Sequence, residues 1–356
     1  QLLARSVVIV LMVNTMSTSG QYPGQTSTFQ SINTWARWSS TSTLFRETQT
    51  AEALKHLDAR RQKLNAIVDV AGWRERQKDV LSTLNESIGR GLPKLTFVSP
   101  AQREVTWPLK TVSHKNYTHP TLGFSVEMVT FESRPGFVVS AGLWTPPHDA
   151  PGRDPVTGKR VGILYASGHS CQAWRRLDYP DVFTYQFMVM HLVMKGFVVL
   201  TYDPPSQGER GMYWSGNCSI NGPCNRTSAV GGCAFNLKTG LSIPNSGSST
   251  TEHNYYARQL LLNNVTDASV WIFDGVRAMD YLTSRVDLVD PKAIGMFGCS
   301  GGGTQTMYLS AFDDRVAVSS AACYPSDFAI DFTYQGAADG EQRWPSGMPL
   351  LLNKAD

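Results

Sequence analysis

Ser300 stands in the run Gly298-Cys299-Ser300-Gly301-Gly302, a G-x-S-x-G spacing behind the short apolar stretch Ile294, Met296, Phe297. A helical pattern of Thr304, Met307, Tyr308 and Ala311 follows at once. A serine on a sharp turn between strand and helix points its hydroxyl out of the sheet, and glycines two residues to either side leave room where the backbones crowd. The N-terminus of the following helix turns unpaired N–H groups toward charge that develops on an attacked carbonyl oxygen. The chemistry expected is nucleophilic acyl transfer, with Ser300 as nucleophile, Gly298 and Gly302 as the elbow glycines and the N–H of Gly301 as an oxyanion donor. A glycine-rich turn that binds nothing has the same letters. Placement favours the chemistry: Asp290-Pro291 signals a turn before the strand, and an amphipathic helix pattern, Val270, Phe273, Val276, Met279, Leu282, lies upstream. Cys299, one residue before the serine, is expected to point into the protein.

The elements that must carry this turn alternate. Phe124–Pro146 reads as an antiparallel hairpin turning at Pro135-Gly136. Ile163–Ala166 is a short apolar strand running into Ser167-Gly168-His169. A helix pattern around Phe183–Lys195 comes next, then the continuous apolar strand Phe197–Tyr202 ending at Asp203. One more strand, Val316–Ala322, follows the elbow. This β-then-α rhythm predicts an α/β fold, a mostly parallel sheet with helices on both faces and the site at the carboxyl ends of the strands. Leu54, Leu57, Leu64, Val68 and then Trp73, Val80, Leu84, Ile88 predict two amphipathic helical pieces that cap the main domain. Gly208–Glu252 has no clear period and reads as a long loop, either a wall of the pocket or surface decoration.

Composition narrows the function classes. The 32 basic and 29 acidic residues nearly cancel, and no basic run with interleaved aromatics points to nucleic acid. No stretch of eighteen apolar residues predicts a membrane span. Arg5, the apolar run Val7–Val13 and small residues up to Gly20 read as a signal peptide over 1–20, and the Ser/Thr/Gln/Gly-rich stretch over 21–46 as a flexible linker. The helical segment is expected over 47–95 and the main domain over 96–356. Sequons at Asn85, Asn116, Asn217, Asn225 and Asn264 fit a secreted glycoprotein. Cys218, Cys224 and Cys233 share one Gly/Asn/Ser-rich stretch, where a bridge such as Cys218–Cys224 is expected. Cys171, Cys299 and Cys323 are expected as small buried thiols. No metal and no cofactor is expected, since no pair of histidines has ligand spacing and the cysteines lack a Cys-x2-Cys pair.

The runs VGILYASGHS, GFVVLTYDPPSQGER, TTEHNYYARQLLL, DGVRAMDYL and GCSGGGTQTMYLSAFDDR, in this order, resemble the acetyl xylan esterase-like branch of the α/β-hydrolases. That branch is related to prolyl oligopeptidase-type catalytic domains, and the likeness runs from about Leu54 onward. The resemblance implies a serine hydrolase acting on carboxylic esters, a small-molecule or polysaccharide ester as substrate, and a second oxyanion N–H from the loop after Ser167, at His169. It implies a buried Glu209/Arg210 pair behind Asp203, and structural roles for Glu252 and His253. In this fold nucleophile, acid and histidine follow one another along the chain, so His169 is not expected as the general base. All seven histidines precede Ser300. The chain is therefore expected to be a piece of a longer reading frame, lacking the last core strands and nearly inactive as given. A prolyl oligopeptidase-like peptidase and a hydrolase-fold binding protein without a triad are the competing readings.

Overall fold

Strands buried on both faces read as nearly continuous apolar runs, and the two central ones do, with Arg160 and Thr201 as the polar exceptions. Arg160–Ala166 (β4) and Val198–Tyr202 (β5) pair in parallel, and almost every residue of both is buried. Their side chains alternate between two cores, as a period of two requires. Leu164, Leu200 and Tyr202 join one cluster, whereas Ile163, Tyr165 and Val199 join the other.

The computed structural model describes residues 41–88, 107–175, 184–215, 225–236, 241–242, 247–324, 326–334 and 339–342. Contacts divide the chain into two units, Gln1–Leu54 and Lys55–Asp356. In the first, the described residues belong to a helix, Thr41–Asn65 (α1), which crosses the boundary and begins inside the stretch expected as linker. The second unit carries the sheet. Its seven strands are Thr111–Thr118 (β1), Ser125–Arg134 (β2), Phe137–Thr145 (β3), β4, β5, Val289–Cys299 (β10) and Val318–Ala322 (β11), in the order β1-β2-β3-β5-β4-β10-β11. The β2–β3 hairpin turns where expected, with Gly136 at φ 77°. The pairings β1–β2, β2–β3 and β3–β5 are antiparallel, and β5–β4, β4–β10 and β10–β11 are parallel. The sheet is thus mixed rather than mostly parallel, because β1 to β3 form a meander.

Helices cover both faces. Asp267–Ser284 (α5) and Gly301–Phe312 (α6) bury Ile272, Phe273, Val276, Met279, Tyr308, Leu309 and Phe312 in the first cluster. Tyr185–Met194 (α3) buries Val189 and Val193 in the second. The helix Val70–Ile88 (α2) packs on the first cluster through its last turn alone: Leu84 and Ile88 touch it, while Val68 and Trp73 are exposed. The expected amphipathic cap is therefore only partly realised. Between residues 208 and 252 the expected loop holds four very short strands, Trp214–Ser215 (β6), Asn225–Ser228 (β7), Phe235–Asn236 (β8) and Leu241–Ser242 (β9), paired antiparallel in sequence order. Ser249–Leu262 (α4) follows, and Phe328–Tyr334 (α7) and a 3₁₀ turn, Gly340–Gln342, come after β11.

Candidate active site

β10 delivers Ser300 to the carboxyl edge of the sheet, and α6 starts at the next residue. Ser300 has φ 60° and ψ −124°, a conformation that costs a residue with a β-carbon about 1–3 kcal/mol. Its N–H donates to Ala322 O (2.9 Å) and its C=O accepts from Thr304 N–H (3.0 Å), so the turn is held from β11 and from α6. The hydroxyl makes no capping bond to the helix it precedes. The flanking glycines are required by space. A β-carbon on Gly302 would fall on Ala166 O, and one on Gly298 would lie 2.7 Å from the same oxygen. Strand order and elbow together decide the architecture. The chain has the α/β-hydrolase fold.

The opposite wall of this α/β-hydrolase site is the loop Ser167-Gly168-His169 that leaves β4. Gly168 is packed so closely on the elbow that a β-carbon there would lie 3.0 Å from Ser300 Cβ. Gln207 Nε2 donates to Gly168 O (3.0 Å) and fixes the peptide. The imidazole of His169 lies over Gly301, where an added β-carbon would be 2.8 Å from its Nε2. Ser300, Gly301 and His169 thus meet in space.

Two acids not singled out from the sequence complete this wall. His169 Nε2 is 2.9 Å from Glu341 Oε1, off the line of an ideal N–H bond, and His169 Nδ1 is 3.4 Å from Asp339 Oδ2. Glu341 Oε2 faces His253 Nδ1 at 3.8 Å, and both side chains are fully buried. The two imidazoles meet at a tilt of 55° with 5.1 Å between ring centres, and both meet Trp271 edge to face. Burial opposes the His169 imidazolium, but Glu341, then Asp339, outweigh it and raise its pKa above the ordinary histidine value. Burial likewise opposes the Glu341 carboxylate, yet His169 and His253 hold its pKa below the usual value. His253 is pushed down to about 4 by burial, against the pull of Glu341. Asp267 is raised well above the carboxylate range by burial and by the nearby charge of Glu341.

Glu209 and Arg210 do not form a buried pair. Arg210 instead reaches Asp274 (2.8 Å) and Asp203 O (2.7 Å), and the largely exposed Glu209 side chain meets Arg175 at 3.5 Å. The reason is direction: adjacent residues on the turn after β5 point to opposite sides, one onto α5 and one outward. Asp203 is buried and takes two bonds from Arg175 Nη1 (2.7 and 2.6 Å) and one from Ser140 Oγ (2.7 Å). Glu252 and His253 are buried in α4, with Glu252 accepting from Met212 N–H (3.2 Å). Cys171 is no free thiol: it is joined to Cys233 with Cα atoms 5.5 Å apart, which ties the loop after β4 to the segment before β8. Cys218 and Cys224 lie outside the described residues. Cys323, just after β11, is exposed, and Cys299, the last residue of β10, is half-buried, so neither is the fully buried thiol expected. Burial, then a hydrogen bond with Cys323, pushes the Cys299 thiol up to about 12. Of the sequons, Asn116 on β1 and Asn264 after α4 are exposed, Asn85 on α2 is half-buried, Asn225 begins β7, and Asn217 lies outside the described residues, as do residues 1–20. Among the described residues no helix is long and apolar enough to cross a membrane.

No protein-family model matches the chain. Over 73 residues it is 36% identical to "Putative hydrolase YtaP" of Bacillus subtilis (strain 168), a stretch of 20% of this chain and 24% of that protein. Among solved structures, the methylesterase BT1017 is similar at a TM-score of 0.49 and 18% identity, covering 85% of this chain and 53% of that one. A "putative acetyl xylan esterase" of Bacteroides fragilis NCTC 9343 is similar at 0.48 and 14%, covering 77% and 60%. The chain therefore spans less than two thirds of each of these relatives.

Proposed function

We propose that the protein is a serine hydrolase that cleaves carboxylic esters through an acyl-enzyme on Ser300. The observation that carries this reading is the strained backbone of Ser300 at the strand–helix junction, a cost maintained by Gly298 and Gly302 where no capping bond repays it. Ser300 Oγ attacks the ester carbonyl and gives its proton to a general base. The carbonyl oxygen becomes an oxyanion that the N–H groups of Gly301 and His169 receive. Collapse expels the alcohol, which takes that proton back from the base. Water, deprotonated by the same base, then attacks the acyl group, and the acid leaves as Ser300 regains its proton. Each backbone donor contributes on the order of 100-fold in rate. The run of segments shared with acetyl xylan esterase-like hydrolases supports acetyl esters as the first substrates to try. The Cys171–Cys233 bridge supports an oxidising, secretory destination, where several of the sequons would carry glycans.

The test uses a fluorophosphonate probe and 4-nitrophenyl acetate, with a peptide amide as control, on this chain and on the longest natural form of the protein. Labelling at Ser300 and acetyl ester turnover, both lost in Ser300→Ala, are expected, with no turnover of the amide. Ester turnover that survives Ser300→Ala would sink the reading. Preference for the amide would move the protein to the peptidases.

A further inference from the structure

We propose that His169, His253 and Glu341 form a binding site for one divalent transition-metal ion of the zinc class. The proposal does not depend on the reading of Ser300. One ring nitrogen from each histidine and one carboxylate oxygen lie within 4.8 Å of one another. They are brought together by three separate elements: the loop after β4, the helix α4 and the 3₁₀ turn Gly340–Gln342.

The pattern of hydrogen bonds points to a cation. His253 Nε2 is 2.9 Å from Pro205 O, and since a carbonyl oxygen only accepts, this ring nitrogen is the one that carries the N–H. In a neutral ring that leaves Nδ1 with its lone pair. This lone pair faces Glu341 Oε2 at 3.8 Å, and both atoms are acceptors. His169 repeats the arrangement from the other side, with Nδ1 toward Asp339 Oδ2 and Nε2 toward Glu341 Oε1. The inward-facing atoms are His169 Nε2, His253 Nδ1 and both Glu341 oxygens. All four are buried without an aligned hydrogen bond. His169 Nε2 and Glu341 Oε1 still attract each other at 2.9 Å, but His253 Nδ1 and Glu341 Oε2 do not pair. Such an unpaired buried atom costs about 1–3 kcal/mol, and a single cation would engage the whole set.

The surroundings fit as well. A metal-binding histidine almost always gives its other N–H to a carboxylate or backbone carbonyl, which fixes the ring and its tautomer. Asp339 and Pro205 stand in those two places. Two imidazoles and one carboxylate are a known zinc donor set that keeps a coordination position open. Zinc–nitrogen bonds of about 2.0–2.1 Å require the donors to draw together by roughly an ångström, which side-chain rotation can supply. The ion would replace the proton otherwise held between His169 and Glu341, and that proton leaves to solvent. Bound there, it would tie the 3₁₀ turn to the wall facing Ser300.

The rival occupant of the gap is a shared proton, and metal titration separates the two. The whole chain, as wild type and as Ser300→Ala, is stripped with a chelator, checked by circular dichroism and titrated with zinc alone by calorimetry. Cobalt(II) is then added for its visible absorption. Expected are one ion per chain, cobalt bands of tetrahedral strength, and a zinc-dependent rise in Tm that a chelator reverses, all equal in the wild type and Ser300→Ala. Asp339→Asn should weaken zinc by about 10–100-fold, and His253→Gln and Glu341→Gln by more. Folded wild-type protein that takes up no zinc would overturn the proposal, as would zinc binding unaltered in folded His253→Gln. Should the ligand variants fail to fold, the wild-type titration and cobalt spectrum decide alone.

Discussion

The guanidinium of Arg210 sits 2.8 Å from the fully buried carboxylate of Asp274, joining the turn after β5 to the middle of α5. Arg210 also donates to Asp203 O and stacks its charge 4.9 Å from the Phe137 ring, so one cation organises the end of β5. Removing the acid alone leaves a buried charge poorly matched. Asp274→Asn should therefore destabilise the protein by about 3–5 kcal/mol in urea unfolding. The paired change Arg210→Met with Asp274→Leu should cost much less, since replacing both partners by apolar groups is often close to neutral. Equal losses in the two proteins would show that packing, not charge, governs this contact.

Gly302 admits no side chain, because Ala166 O occupies the place of its β-carbon. Gly302→Ala should separate β4 from α6 and cost about 1–3 kcal/mol as overpacking. Loss of Ser300 reactivity toward the fluorophosphonate probe should exceed what that destabilisation alone produces. An Ala variant with wild-type stability and labelling rate would mean that the elbow tolerates more slack than its geometry indicates.

Cys299 carries a free thiol whose pKa is raised to about 12 by burial and by a hydrogen bond with the Cys323 thiol. Alkylation requires the thiolate. The rate at Cys299 should keep climbing with pH beyond 10, whereas an ordinary thiol levels off above about 9. Iodoacetamide labelling across pH, read by mass spectrometry, measures this. A plateau near pH 9 at Cys299 would contradict it.

What could be read from the chain was what repeats with a short period. The hairpin at Gly136, the apolar β4 and β5, the helix through Val276 and the elbow at Ser300 all announce themselves by spacing. The strand β1 did not, because every residue of Thr111–Thr118 is exposed and its sequence, TVSHKNYT, has no apolar face to alternate. The strands β6 to β9 were missed because two-residue pairings leave no pattern. Arg210 reaching Asp274 rather than Glu209, and Glu341 meeting His169 and His253, depend on how distant segments cross. Histidine spacing along the sequence carries no trace of that meeting, so ligand motifs alone gave no hint of it.

The staple between Cys171 and Cys233 makes the route of production part of the chemistry. A bacterial cytosol keeps such thiols reduced, and the wall opposite Ser300 would then be assembled without its covalent tether to the segment before β8. Preparations from a cytosolic and an oxidising host would share one mass, to within two hydrogens, yet differ in how firmly His169 is held. Any test of the proposed esterase action or metal uptake inherits that difference, so the thiol count of each batch belongs beside its activity.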